Sequence, residues 1–328
     1  MRAEHAYDAT IVGGSFAGLS AAIYLARARR HVLVVDAGEP RNRFARTSHG
    51  FFSRDGHSPG EMLAAARTQL LAYPSARLVT GRVARVVRSA EHFLSALEDG
   101  AEARSQKVVI AIGIVDLLPD LPGLPERWGT TVLHCPYCHG FEFAGQRLGV
   151  LGIGPMSLHQ ALLLADWGPV TFFTNGAVSP DEGDMRALAA RSVAVESEPV
   201  TQLEGSATTL SGVRLESGRF VPLDALFVGP RTRLASPIAE QLGCAIDDGP
   251  LGTVIRTDAD KLTTVPGVYA AGDAARARHT VSWAVADGVT AGMAAHQALV
   301  FQPDRHSASG TTHSPVRGGP TAPSAPPA

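Results

Sequence analysis

The run Tyr7-Asp8-Ala9-Thr10-Ile11-Val12-Gly13-Gly14-Ser15-Phe16-Ala17-Gly18 decides how the rest of this chain is read. Residues 7–13 have the length and apolar content of a short buried strand, the glycines follow at once, and the Ala-rich run 19–30 has helical composition. A second apolar run, His31-Val32-Leu33-Val34-Val35-Asp36, ends in an acid. Strand, glycine turn, helix, strand and terminal acid, in that order within about 30 residues, form the β-turn-α-β unit of a dinucleotide-binding fold. The glycines allow a tight turn and let a pyrophosphate approach the positive helix N-terminus, while Asp36 is placed to accept hydrogen bonds from ribose hydroxyls. Ser15 stands where the fingerprint has its second glycine and adds only a small hydroxyl. An ordinary α/β fold with a Gly-rich turn would leave Asp36 unexplained.

Downstream, residues 39–60 form a long polar loop whose Phe44, Phe51 and Phe52 favour docking, with Ser48, His49 and Gly50 able to line a cofactor. Residues 61–71 are expected to be helical, 77–97 to supply two or three strands of an antiparallel excursion, and 107–113 to be a buried strand. Pro119, Pro122, Gly123 and Pro125 mark a connector. A second β-turn-α-β unit follows: the run 147–152, Gly152-Ile153-Gly154-Pro155-Met156-Ser157, the helix 158–167 and the strand 169–174. Here Ser157 replaces the third glycine, and Phe173-Thr174-Asn175-Gly176 offers neither an acid for a ribose nor an arginine for a 2'-phosphate. Arg186 and Arg191 come late in the sequence, so a nicotinamide cofactor is expected to bind poorly or not at all. Gly229-Pro230 marks a return, and Gly267-Val268-Tyr269-Ala270-Ala271-Gly272-Asp273 is a strand ending in Gly-Asp before the helix 281–300. Residues 302–328 have the Pro, Gly, Ser and Thr content of a disordered tail.

Two of the three cysteines lie in His134-Cys135-Pro136-Tyr137-Cys138-His139-Gly140, close enough to form a disulfide. Alone, the stretch also fits a glutaredoxin-like site, c-type haem attachment, or zinc held by two Cys and two His. A chain of 328 residues, 45% hydrophobic, can bury two cores. Its net charge of -2, without a basic run, gives no footprint for nucleic acid or an anionic membrane, and no apolar run is long enough to span a bilayer. The N-terminus lacks the pattern of a secretory leader, so a cytoplasmic location is expected, where a close Cys pair is catalytic or metal-binding more often than structural. Cys244 reads as a small buried side chain.

Taken together, the fingerprint with Ala21-Ala22-Ile23-Tyr24 behind it, the Cys135-Pro136-Tyr137-Cys138 pair, the second fingerprint at Gly152, and Ala271-Gly272-Asp273 resemble the thioredoxin reductase family of flavoproteins over residues 7–300. The resemblance implies an α/β fold of two Rossmann-like, three-layer ββα nucleotide-binding domains, the second inserted in the first. An FAD domain would take 1–115 and 247–303, and an NAD(P)-type domain carrying the Cys pair 116–246, with 304–328 as tail. It implies FAD held by Gly13, Gly14, Ser15, Phe16, Ala17, Gly18, Asp36, Ala37, Arg43, His49, Gly113, Gly272, Asp273 and Val281, with Asp273 at the ribityl and pyrophosphate region. The Cys pair, as a disulfide, would stack against the isoalloxazine, and the chain would be a homodimer. These implications set aside the glutaredoxin, haem and zinc readings; no metal is expected.

Within that family, Cys-Pro-Tyr-Cys-His-Gly-Phe-Glu is more similar to the small-molecule dithiol oxidases of gliotoxin and holomycin type than to thioredoxin reductases, which usually have an Asp after the second Cys. The implied reaction closes a disulfide in a small-molecule dithiol, with O2 as acceptor and H2O2 as product. A substrate thiolate would attack Cys135, and Cys138 would pass the electrons to FAD. A thiol of pKa about 8.5 is mostly protonated at neutral pH, and His139 is the candidate base. His134, His49 and His279 are weaker candidates. Two alternatives remain: an NADPH-dependent disulfide reductase acting on a thioredoxin-like protein, and a non-enzymatic redox-sensing flavoprotein.

Overall fold

A computed structural model describes residues 6–89 and 92–301; the 304–328 tail lies outside the described residues. The opening unit folds as β1 (Ala6–Val12), α1 (Phe16–Arg27) and β2 (Val32–Asp36), with the strands parallel and Val12 opposite Val35. The helix starts before residue 19 because Ser15 adopts an extended N-cap conformation directly after the turn (φ -95°). It ends close to Arg29, whose backbone is left-handed (φ 60°). Next comes α2 (Pro59–Leu71), also earlier than its composition predicts: Ser58 and Glu61 form a reciprocal capping box, and Pro59 occupies the first turn.

Four strands follow: β3 (Ala76–Thr80), β4 (Val83–Arg88), β5 (Phe93–Leu97) and β6 (Glu102–Ile110). Only β4 and β5 make the antiparallel excursion. Strand β3 lies parallel to β2, because the intervening α2 carries the chain back to the starting end of the sheet. The long β6 serves two layers, pairing antiparallel with β5 through residues 102–105 and parallel with β1 through 104–110. Side-chain alternation along the sheet builds two cores. Ala9, Ile11, Val32 and Val34 face the helices, whereas Val12, Leu33 and Val35 face the layer holding Val83, Val86 and Phe93.

The chain leaves through β7 (Ile114–Asp116) and enters a second unit: β8 (Val132–Leu133), α3 (Pro136–His139), β9 (Leu148–Leu151), α4 (Met156–Leu164), β10 (Val170–Phe173), α5 (Glu182–Ala190) and β11 (Ala194–Glu196). Antiparallel β12 (Val200–Ser206), β13 (Thr209–Leu215) and β14 (Phe220–Pro222) precede β15 (Ala225–Phe227). The sheet order β11-β10-β9-β15-β8 is parallel throughout. Val150 and Phe172 face α4 and α5, while Leu151 and Phe173 face the antiparallel trio, so the helix–sheet–sheet layering of the first unit repeats. The chain is thus a mixed α/β protein of two Rossmann-type units, as the paired fingerprints imply.

The return runs through β16 (Thr232–Leu234), antiparallel to β7, then α6 (Ile238–Gln241), β17 (Ile246–Gly249), β18 (Gly252–Ile255), β19 (Val268–Ala270) and α7 (Val281–Phe301). Leu234, Ile238, Ala239 and Cys244 pack into the core of the first unit, in keeping with the return at Gly229-Pro230 and ahead of the boundary at 246 that the family resemblance implies. The reason is that the outgoing and returning strands pair with each other, so the return is complete once β16 has formed. Strand β19 extends the first sheet beside the second half of β6. Among the described residues no helix is long and apolar enough to cross a membrane.

Helices α1 and α7 touch backbone to backbone. A Cβ added at Gly288 would lie 2.1 Å from the Ala17 carbonyl oxygen, and one at Gly292 2.7 Å from that of Ala21. Glycine to alanine inside an unencumbered helix stabilises it by about 1 kcal/mol. At Gly288 the opposite sign is expected: Gly288→Ala should destabilise by about 1–3 kcal/mol through overpacking, read as a lower urea midpoint, with Gly292→Ala milder.

Candidate active site

A cavity of about 750 Å³ lies between the ends of β1, β2 and β6, the 39–60 loop, the cysteine turn and the start of α7. Of the residues singled out by sequence, Gly13, Gly14, Ser15, Phe16, Ala17, Asp36, Ala37, Arg43, His49, Gly113, Gly272, Asp273 and Val281 line it together with Cys135, Cys138 and His139. Gly18 does not line it. It is buried one turn into α1, where a Cβ would come 1.8 Å from the Gly13 carbonyl oxygen. Gly13 itself is left-handed (φ 106°), and a Cβ there would strike the Ala111 carbonyl at 2.2 Å. Ser15, at φ -95°, needs no glycine freedom, which is why the fingerprint tolerates it.

The end of the cavity at the glycine turn suits an anion. The first turn of α1 contains no acidic side chain, so the positive end of its dipole is not neutralised by its own sequence. Asp36 is nearly buried under the turn: one carboxylate oxygen accepts from the Gly38 N–H at 3.0 Å and the other from Arg67 at 2.7 Å. Each carboxylate oxygen has a second lone pair for a ribose hydroxyl. Arg43 lines the wall, but its guanidinium lies 4.2 Å over the Phe44 ring and donates to the Pro40 carbonyl.

The cysteines are thiols in this structure. Once one of them ionises, the remaining proton is held unequally. Cys135 caps the short helix α3 and is held below the ordinary thiol value, first by the S–H of Cys138, against the effect of burial, then by the N–H groups of Cys138 and Tyr137 and the charge of Arg41. Cys138 is pushed up because its proton is held by Cys135, and burial adds to the effect. Reduced, the pair therefore ionises first at Cys135. The Tyr137 ring is exposed and meets Trp167 edge-on at 5.7 Å.

Histidines flank the pair in two groups that sequence spacing does not predict. His139 meets His49 with ring centroids 6.4 Å apart. His49 in turn lies 3.1 Å from Thr47 Oγ1, 3.4 Å from Glu142 and 3.4 Å from the exposed Asp55. Burial keeps the His139 imidazole below its usual value, with Glu142 opposing and His49 reinforcing, so it stands neutral at pH 7 and able to accept a proton. On the other side, burial and the Arg41 charge push His134 down to about 4. One of its nitrogens donates to the Val228 carbonyl, leaving Nδ1 shut from solvent without a partner. His279 donates from Nε2 to the Arg276 carbonyl at 3.0 Å, and burial lowers it too.

Sequence reasoning missed Arg41 and Asp116. Arg41 is one of several arginines in a polar loop, and nothing in the local pattern marks it; only the fold brings Asp116 to it from 75 residues away. At the second fingerprint the polar groups are already engaged. Ser157 Oγ accepts from the Ile153 N–H at 3.1 Å, Asn175 accepts from the Val200 N–H, and Arg186 and Arg191 pair with Glu182 and Asp166.

The sequence profile described as pyridine nucleotide-disulphide oxidoreductase matches residues 7–288. Among characterised relatives, "Thioredoxin reductase tcpT" from Claviceps purpurea is 31% identical over 311 residues, covering 92% of this chain and 96% of that one. Among solved structures, an oxidoreductase from Agrobacterium tumefaciens superposes with TM-score 0.87 at 46% identity, covering 91% of this chain and all of that one. HlmI superposes with TM-score 0.85 at 38% identity, covering 90% and 94%.

The depressed His134 has a consequence for stability. Its folded value of about 4 lies below the 6.5 of an unfolded imidazole, so the stabilisation is complete above pH 6.5 and is lost as pH falls towards 4. Allowing for its partly exposed edge, roughly 2 kcal/mol should disappear over that window. Urea midpoints at pH 7 and pH 4.5 should differ less for His134→Gln than for the wild-type chain.

Proposed function

The chain belongs to the pyridine nucleotide-disulphide oxidoreductase family, and from that premise we propose that it is an FAD-dependent dithiol oxidase. It closes an intramolecular disulfide in a small-molecule dithiol, with O2 as the electron acceptor and H2O2 as product. The observation that carries this reading is the convergence of Cys135 and Cys138 on the cavity that also receives the first glycine turn and Asp36. The uncompensated α1 N-terminus, Asp36 and Asp273 suit FAD; the engaged polar groups at Ser157 and Asn175 favour electron entry from a thiol over entry from NADPH. We assign the first unit, including 232–301, to FAD and the inserted unit to presentation of the Cys pair.

Starting from the oxidised pair, a substrate thiolate attacks Cys135 Sγ, and Cys138 leaves as the thiolate. The second substrate thiol, deprotonated by His139, attacks the mixed disulfide at the substrate sulfur. Cys135 departs as a thiolate, and the backbone N–H groups of Cys138 and Tyr137, which favour its ionised form, stabilise it as it leaves. Two protons and two electrons have then left the substrate, which carries the new S–S bond. Bound FAD supplies the two-electron passage from the reduced pair to O2, which takes up two protons to give H2O2. On its solvent side His139 stands edge-on to His49, whose Nδ1 faces the exposed Asp55.

An NADPH-dependent reductase is the second reading, favoured by the family's pyridine nucleotide chemistry. The two separate under anaerobic conditions: a small dithiol such as dithiothreitol should bleach the flavin absorbance of the oxidase within turnover time, and NADPH should not. In air, Cys138→Ser should abolish peroxide formation, and His139→Ala should lower kcat by about a hundredfold or more. Rapid bleaching by NADPH, or full turnover in Cys138→Ser, would overturn the assignment.

A further inference from the structure

Helix α2 turns Met62, Leu63 and Leu70 into the core, and Arg67 stands four residues after Leu63 and three before Leu70, on that same inward face. Its side chain is 35% exposed, and its Nε is shut from solvent without a partner. A leucine or methionine at this position would continue the apolar stripe without stranding a donor, so the arginine costs stability unless something answers it. What answers it is Asp36, whose Oδ2 accepts from Nη2 at 2.7 Å across 31 residues of chain.

Asp36 is held from three sides. The Gly38 N–H donates to Oδ1 at 3.0 Å, Arg67 donates to Oδ2, and the glycine turn lies so close that a Cβ at Gly14 would come 2.6 Å from Asp36 Cβ and 2.9 Å from Oδ2. The terminal torsion of an aspartate is soft when nothing restrains it. One donor on each oxygen stops that rotation, so the lone pairs left over keep a fixed direction. Asp36 lines the cavity and Arg67 does not, so whatever Arg67 does for a ligand passes through that carboxylate. We propose that Arg67 is a positioning residue of the nucleotide site: it locks the Asp36 carboxylate so that its free lone pairs take the two vicinal hydroxyls of a ribose, that of the adenosine half of FAD. The inference rests on the FAD reading of the cavity and is independent of the dithiol, the electron acceptor and the Cys pair.

The experiment is the dissociation constant of FAD, read from the recovery of flavin fluorescence on serial dilution of the flavin-loaded protein, in a double-substitution cycle over positions 67 and 36. Arg67→Met should weaken FAD binding about tenfold or more, the scale of one charge-assisted hydrogen bond. Arg67→Lys, which keeps a charged donor, should recover part of that loss. Asp36→Asn should weaken binding at least as much, and adding Arg67→Met to it should weaken binding no further, because the carboxylate through which Arg67 acts is gone. A role in helix packing alone leaves the two positions independent, so losses that multiply in the double variant overturn the proposal. Should Arg67→Met fail to fold, Arg67→Gln takes its place under the same criteria. A wild-type protein that binds no FAD overturns the FAD reading and this inference together, whereas FAD bound equally by the wild type and Arg67→Met overturns this inference alone.

Discussion

Everything in the site hangs on the contact between the glycine turn and the strand ends beneath it. The Gly13 carbonyl meets the backbone of Gly18 so closely that no side chain fits between them, and Gly13 itself lies against the Ala111 carbonyl at the end of β6. This packing lodges the N-terminus of α1 over the sheet with Asp36 just under the turn. It also determines where the cavity opens, because the segments that follow β6 and β19 must leave the sheet at that same end. Gly113 and Gly272, both left-handed, redirect the chain there and place Asp116 and Asp273 at the wall.

The second unit brings the cysteine pair to the cavity. Its fingerprint has kept the strand–turn–helix shape, but Ser157 and Asn175 spend their polar atoms within the protein. What it delivers is the short helix α3, whose first backbone N–H groups and second cysteine converge on Cys135. The two thiols are chemically identical in isolation. They become different because Cys135 receives the first N–H groups of α3, while Asp273 opposes ionisation at Cys138 alone.

The extended segments and the two fingerprints were legible because they rest on local rules: alternation of apolar residues, glycine where no Cβ fits, an acid at the end of a strand. The boundaries that slipped did so for equally physical reasons. Both α1 and α2 begin early: Ser15 is the extended N-cap of α1 directly after the glycine turn, and the Ser58 side chain caps α2, neither of which apolar content registers. Strand β3 reads like part of a hairpin, yet the crossover through α2 makes it parallel. Residues 232–246 join the first core because β16 pairs with β7 across more than a hundred residues of chain.

From sequence alone come the dinucleotide turn, the paired cysteines, the acid at Asp36 and the duplicated architecture, since each depends on spacings short enough to be carried by local backbone geometry. Tertiary structure alone decided that Arg41 answers to Asp116, that His49 stands beside His139, and that His134 holds a nitrogen shut away from water. These are distances between residues far apart in the chain, and the energies involved, desolvation and unscreened charge, exist only once folding has excluded the solvent. A loop arginine carries no mark of its burial until the cavity closes around it.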